Sequence, residues 1–435
     1  MKKPNVLYIM SDDHSANAIS SYKSILSQVF KTPNLDRLYT EGTLCENYYA
    51  TNSICTPARA TIMTGQYSQV NGIRTLADCW NPEIDLNLAK IMKDSGYSTG
   101  IIGKWHLHCT PTGFDSYQVL TGSGGQGTYY DPVFDENRES TVREGYVTDV
   151  ITEMTMDYLD KKDEDKPFFL MCHHKAPHDF WEYPKRHEHL FDGVDIPVPD
   201  SLFEDRSHRS EGSREYGSSV TPRSKIRSLY EDFQNPDYCT GSLIIDESMT
   251  FEERGIAAYQ KYLKDYLRTV AGIDDSVGAL LDKLEEMGEL DNTIVIYSSD
   301  QGMFLGEHDY QDKRWSFEES LKAPFLIRYP KAVPKHVRNK NLLSNVDLAP
   351  TLLDMCGIVI PQEMQGLSQK SVLYNEGQED LRDYVYFRYW MHLAHRHHNP
   401  AHYGIRTKDF KFIYYYGRPL DATGALDEPT PQALS

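Results

Sequence analysis

NVLYIMSDD, residues 5–13, runs an apolar stretch from Val6 to Met10 straight into Ser11, Asp12 and Asp13. A short apolar run bounded by polar residues is the pattern of a strand buried on both faces. Three other stretches repeat it. STGIIG (98–103) is followed by Lys104 and His106, PFFLMC (167–172) by His173, His174 and then Lys175 to His178, and NTIVIYSS (292–299) by Asp300 and Gln301. Open α/β sheets bind ligands beyond the carboxyl ends of their strands, where residues remote in sequence converge. Solvated loops also end strands in polar residues, but Asp, Lys and His after four such runs point to a site.

Helical patterns alternate with these runs. TPNLDRLYTEG (32–42) has helical spacing over 34–41 with Gly42 as a stop, and LNLAKIMKDSG (86–96) is amphipathic and ends at Gly96. The longest periodic segment covers 269–292, and its Asp274–Asp275 pair reads as a solvated or capping pair rather than as metal ligands. Strands alternating with helices predict an α/β fold: a large, mostly parallel sheet flanked by helices.

Residues 181–250 change character, with many Ser, Arg, Glu and His and little periodicity. They are expected to form an irregular insertion, functional or disordered. From about Asp383 the aromatic-rich runs YVYFRYW and HYGIRTKDFKFIYYYG predict a small C-terminal antiparallel subdomain. The expected division is 1–380 for the catalytic α/β domain and 381–435 for the β subdomain. The final PLDATGALDEPTPQALS (419–435) has turn-like composition, and a truncated or altered C-terminus is expected there.

The chain has 435 residues with 40% hydrophobic and 25% charged composition, which is ordinary globular usage. Its net charge of −19 repels a nucleic-acid backbone, so an anionic substrate needs a local basic pocket. The 7 cysteines, odd in number and without CxxC spacing, suggest neither a disulfide framework nor a cysteine-rich zinc site. No stretch approaches the length of a membrane span. The short apolar run after Met1-Lys2-Lys3 is not a secretion signal. The expected location is therefore cytoplasmic as the sequence stands, or periplasmic or secreted if a leader has been removed.

NSICTPARATIMTG (52–65) holds the most reactive group. Pro57 suits a first helical turn, Thr56 can cap it, and Gly65 ends the run, which sets Cys55 at a helix N-terminus. That position attracts anions and lowers a thiol's pKa, and Arg59 adds a positive charge one turn on. A buried structural cysteine is the alternative.

CTPARATIMTG resembles the signature of type I sulfatases, in which Cys-x-Pro-x-Arg directs conversion of the cysteine to formylglycine. PNVLYIMSDD, GKWH (103–106), KAPH (175–178), DQGMFLGEH (300–308) and DKR (312–314) follow in the family's order, so the resemblance spans nearly the whole chain. It implies the alkaline-phosphatase-like fold and a sulfuric ester hydrolase. It also implies a maturation partner, a formylglycine-generating or anaerobic sulfatase-maturing enzyme. Asp12, Asp13, Asp300, Gln301 and the modified Cys55 would hold a divalent cation. The carboxylate count favours Ca²⁺, with Mg²⁺ second. Many members have Asn where this chain has Gln301.

By the same resemblance, one hydroxyl of the hydrated formylglycine attacks sulfur and the other later expels sulfate. Lys104 and Lys313 stabilise the developing charge, and Arg59 steadies the hydrate. His106 deprotonates the second hydroxyl and His178 protonates the leaving alcohol. The likeness is greatest to N-acetylglucosamine-6-sulfatase and related glycosaminoglycan or mucin glycan enzymes, which makes a sulfated sugar the expected substrate. In MHLAHRHHNPAHYG (391–404), His392 and His402 are candidates for substrate contact; a transition-metal site or an exposed loop are the other readings of this stretch. The rival functions are a phosphonate monoester or phosphodiester hydrolase of the same superfamily and a catalytically silent glycan-binding homologue.

Overall fold

The computed structural model describes residues 3–375 and 381–434; the domain boundary expected at 380 falls at the edge of residues outside this description. The large sheet is built from β1 (Asn5–Ser11), β2 (Thr43–Tyr49), β3 (Ser98–Gly103), β4 (Ser116–Leu120), β5 (Val133–Glu136), β6 (Glu139–Val142), β7 (Phe168–His173), β8 (Thr293–Ser299), β9 (Lys322–Arg328), β10 (Val337–Asn339) and β11 (Leu343–Ser344). Their order is β10-β2-β9-β8-β1-β7-β3-β4-β5-β6, with β11 also paired to β2. The centre, β8-β1-β7-β3-β4, is parallel throughout. Antiparallel pairings lie further out, where β9 runs against β8 and β2, and β5 against β4 and β6.

β1 shows why the centre holds. All of its residues are buried, and its side chains alternate between two cores. Val6, Tyr8 and Met10 join Ile294, Ile296, Met92 and Leu352 on one face. Leu7 and Ile9 join Val295, Tyr297, Ile273 and Val277 on the other. Each fully buried aliphatic side chain contributes about 1.5–3 kcal/mol, so this strand is fixed from both sides.

The helices carry sequence-coded ends. Pro33 occupies the first turn of Pro33–Thr40, and Asn87 caps Leu88–Asp94 by accepting from two backbone N–H groups. Helix Phe251–Glu286 opens with a capping box between Thr250 and Glu253. Asp274, buried within it, accepts from the backbone N–H groups of Asn34 and Leu35 at the start of helix Pro33–Thr40, at 3.1 and 2.8 Å. Asp275 pairs with Arg186 and His187. Neither reaches the site described below, which agrees with a capping and solvated pair.

Residues 181–250 contain only short helical turns, yet they are packed. Trp181, Phe191, Leu202, Leu229 and Phe233 form a core with Tyr262 and Tyr266 of helix Phe251–Glu286. The C-terminal strands β12 (Val385–Tyr389), β13 (His402–Arg406), β14 (Lys411–Tyr415) and β15 (Ala433–Leu434) form an antiparallel sheet in that order. Its last strand comes from the tail whose composition predicts only turns: Leu434 and Ala433 pair with Tyr414 and Tyr415. A two-residue strand is too short to leave a periodic signal. Among the described residues, no helix is long and apolar enough to cross a membrane.

Candidate active site

β8, β1, β7 and β3 are neighbours and parallel, so their carboxyl ends open on one edge of the sheet. Asp12 and Asp13 leave β1, Asp300 and Gln301 leave β8, and all four are buried. Carboxylate oxygens of Asp12, Asp13 and Asp300 lie within 4.8 Å of one another. Asp13 is held in the left-handed region at φ 64°, its N–H donating to Asp300 Oδ1 at 3.3 Å and its carbonyl accepting from Tyr266 at 2.8 Å. Burial pushes its carboxyl up, while Lys313 and His178 oppose that shift.

Three basic side chains answer the three carboxylates; burial lowers the Lys104 amine well below its ordinary value, whereas Asp13 helps to hold Lys313 well above its own. Arg59 donates to Asp300 Oδ2 at 3.1 Å, lies 3.6 Å from Asp12 Oδ1, and donates through Nη1 to the Lys104 carbonyl at 2.8 Å. Lys104 Nζ contacts Asp12 and Gln126. Lys313 Nζ is 2.5 Å from Asp13 Oδ2. Buried charges persist only when paired in this way. Two oxygens remain over: Asp12 Oδ1 and Gln301 Oε1 are buried and accept no hydrogen bond from the protein, whereas Gln301 Nε2 donates to Asp13 Oδ1 at 2.5 Å. Unused oxygens beside a carboxylate triad are the donor type a hard divalent cation takes, so the residues fit the expected metal.

Cys55 begins helix Cys55–Thr64, which ends at Gly65 in the left-handed region at φ 64°. Its Sγ is 3.9 Å from Gln301 Nε2 and it belongs to the same cluster as Asp12 and His178. Two expectations are corrected. The N-cap is Ile54, not Thr56, whose hydroxyl lies inside the helix and donates to the His106 carbonyl at 3.0 Å. The thiol is not lowered: burial pushes it up to about 12, against the pull of Lys313. A helix terminus is worth at most about 2 kcal/mol, and desolvation of a fully buried group exceeds that.

His106 is buried at φ 54°, and burial, then Lys104 and Arg59, hold its imidazole well below the usual range. Burial and Lys313 also lower His178, against Asp179 and Asp13. His178 Nε2 is 3.8 Å from Asp13 Oδ2. A cavity of about 620 Å³ opens beside it, lined by Gln126, Tyr129, Lys175, Asp179 and Tyr238 among others.

The histidine-rich stretch does not behave as expected. His392 accepts from the Ala401 N–H through Nδ1 and pairs with the Glu428 carbonyl through Nε2, which commits both nitrogens to backbone. His402 is buried, stacks between Trp315 and Tyr389, and bonds the Pro400 carbonyl. His392 therefore offers no free nitrogen edge to a sugar, whereas His402 is committed through Nδ1 and by its two ring contacts. His397 is the member that joins the site's surroundings, 3.3 Å from Asp312 Oδ2 and 3.0 Å from Arg227 Nη1. Asp179, Arg227, Asp312 and His397 are not among the site residues expected from sequence. Asp179 directly follows KAPH and Asp312 opens DKR, so motif adjacency is the available signal for these two.

A family profile described as Sulfatase matches residues 4–358. The chain belongs to the sulfatase family. A second profile, N-sulphoglucosamine sulphohydrolase C-terminal, matches residues 306–426 of this sulfatase. It is 39% identical to an N-acetylglucosamine-6-O-sulfatase of Bacteroides thetaiotaomicron over 95% of this chain and 79% of that protein. The human N-acetylglucosamine-6-sulfatase is 26% identical over 89% of this chain and 67% of its own length. A solved structure of a complex with the substrate D-glucosamine-2-N,6-O-disulfate matches with a TM-score of 0.87 at 37% identity, covering 100% of this chain and 91% of that one. The phosphonate monoester hydrolase of Agrobacterium radiobacter matches with a TM-score of 0.72 at 21% identity, covering 100% and 89%, a likeness of fold alone. The sulfatase is thus an alkaline-phosphatase-like enzyme whose motif residues meet at one sheet edge.

Proposed function

We propose that this sulfatase removes a 6-O-sulfate from glucosamine-type sugars of glycosaminoglycan or mucin-type glycans, using formylglycine made from Cys55 and one divalent cation. The observation that carries the proposal is the placement of Cys55: 1% exposed, at a helix start, among the carboxylates and beside Lys313. A thiol pushed up to about 12 is protonated at neutral pH and is a poor nucleophile, so its position makes sense as a precursor. Its burial also means that a maturation enzyme would need the CTPAR segment before folding is complete.

When hydrated, formylglycine supplies two hydroxyls on one carbon, one to receive the sulfuryl group and one to let it go. A cation held by Asp12, Asp13, Asp300 and Gln301, Ca²⁺ before Mg²⁺, would polarise a sulfuryl oxygen. The other work falls to the protein's own side chains. Arg59 keeps Asp300 and Asp12 in place, Lys313 sets positive charge where the sulfuryl oxygens gain negative charge, and Lys104, lowered by burial, joins it as the charge of a bound sulfate ester favours its protonated form. His106 is neutral, and its buried Nδ1 is without a hydrogen-bond partner, which suits a proton acceptor. His178 faces the cavity side and would give its proton to the departing sugar oxygen; the negative charge of a bound sulfate ester favours its protonated form.

Two measurements test this. Peptide mass spectrometry after co-expression with a maturation enzyme should show the thiol-to-aldehyde conversion at Cys55. Steady-state rates should favour N-acetylglucosamine-6-sulfate or glucosamine-6-sulfate over a matched phosphodiester. Faster phosphodiester turnover would transfer the reading to the phosphonate or phosphodiester hydrolases, and an unmodified thiol with no turnover would favour a silent glycan-binding homologue.

A further inference from the structure

We propose that Asp179 is a positioning residue that fixes the His178 ring for the departing oxygen, and that Arg227 of the 181–250 insertion holds Asp179 in turn. This rests on the sulfatase reading above, in which His178 serves the leaving group. His178 Nδ1 lies 2.7 Å from Asp179 Oδ1 and 2.9 Å from the Asp179 carbonyl oxygen. Both partners are acceptors, so Nδ1 must carry the hydrogen and Nε2 is the nitrogen left to face the cavity. The backbone of His178 is fastened independently: its N–H donates to the Lys175 carbonyl at 3.1 Å, and its carbonyl accepts from the Tyr129 hydroxyl at 2.5 Å. These bonds do not set the ring torsion. Asp179 does.

The other carboxylate oxygen is also committed. Asp179 Oδ2 is 3.4 Å from Arg227 Nη2, and Arg227 is anchored by Asp232 at 3.0 Å and by His397 at 3.0 Å. The Asp179 side chain lies on the cavity wall and is 23% exposed, so direct contact with the sugar is the competing role. Two occupied oxygens weigh against it. The insertion thereby acquires a role in the site, because Arg227, 48 positions along the chain from Asp179, braces the carboxylate behind a motif histidine.

The test uses matured enzyme and two substrates, a sugar 6-sulfate and 4-nitrophenyl sulfate, whose phenolate departs without a proton. Outer partners of this kind change activity by about 10- to 100-fold. Asp179→Asn should lower kcat on the sugar sulfate by about 10- to 100-fold with KM nearly unchanged, leave kcat on the aryl sulfate within a few-fold, and Asp179→Glu should recover part of the loss. Arg227→Met, which keeps the carboxylate, should show the same selectivity at smaller amplitude and serves if Asp179→Asn folds poorly. A rise in KM with kcat intact, or equal losses on both substrates, would overturn the positioning role. His178→Ala separates the two levels: if it fails to discriminate between the substrates, the leaving-group role of His178 itself is wrong, whereas discrimination by His178→Ala without any by Asp179→Asn refutes only the role of Asp179.

Discussion

Replacing Gly103 by Ala tests whether the sheet edge is what aims the catalytic residues. Gly103 ends β3 at φ +101°, and the next residue, Lys104, donates its N–H to the His173 carbonyl at 2.8 Å. An added Cβ would overlap that same carbonyl oxygen and lie 2.8 Å from its carbon. The left-handed conformation costs a non-glycine residue roughly 1–2 kcal/mol, and the overlap adds about 1–3 kcal/mol as β3 and β7 are pushed apart. The sum is about 2–5 kcal/mol. At about 2.1 cal/mol/K per residue, 435 residues unfold with roughly 0.9 kcal/mol/K, so Tm should fall by about 2–6 °C if the chain melts as one unit. A shift of about 1 Å at Lys104 and His106 is enough for a loss near 100-fold in kcat. Gly72→Ala is the control: it shares a positive φ of +79° but has nothing within 4 Å of the new methyl. It should show only the conformational cost, about 1–2 °C, with turnover intact. Scanning calorimetry and steady-state kinetics on the pair decide the matter. If Gly103→Ala matches Gly72→Ala in both, the close approach to His173 does not position the site.

Other perturbations follow from the same geometry. Cys55→Ala should abolish turnover while circular dichroism shows an intact fold; retained turnover would refute the assigned nucleophile. Chelation should remove activity, with Ca²⁺ restoring it better than Mg²⁺, and an enzyme indifferent to exhaustive chelation would contradict a metal held by Asp12, Asp13, Asp300 and Gln301. Burial lowers Lys175 from its ordinary value near 10.4 to about 8. Its folded pKa is thus below its unfolded one, so the folded state holds fewer protons between these values and stability rises with pH across that window. Lys175→Met should therefore stabilise the protein by about 1–3 kcal/mol at pH 7, a gain that shrinks toward pH 10; denaturant midpoints at both pH values check this, and a loss of stability at pH 7 would refute it.

What is legible in the sequence depends on how local its cause is. Val6 to Met10 must be a two-sided buried strand because five apolar residues leave no polar face, and a parallel strand ends where its polar residues begin. Asp12, Lys104, His178 and Asp300 stand out together for that reason alone. The thiol of Cys55 is misjudged from sequence because a helix start is local and visible, whereas burial is set by the strands and loops that close over it; the nonlocal contribution is the larger one. His392 misleads for the same reason, since composition shows five histidines in one stretch but not that backbone groups already take both of its ring nitrogens. Arg227 lies deepest out of reach: nothing periodic marks it within 181–250, and although Asp232 anchors it locally, its place in the site comes from the 3.4 Å to Asp179 and the 3.0 Å to His397, partners contributed by a motif loop and by the C-terminal segment. An irregular segment can thus be as fixed as a strand. The difference is that its determinants are pairwise and distant, and no window along the chain contains both members of the pair.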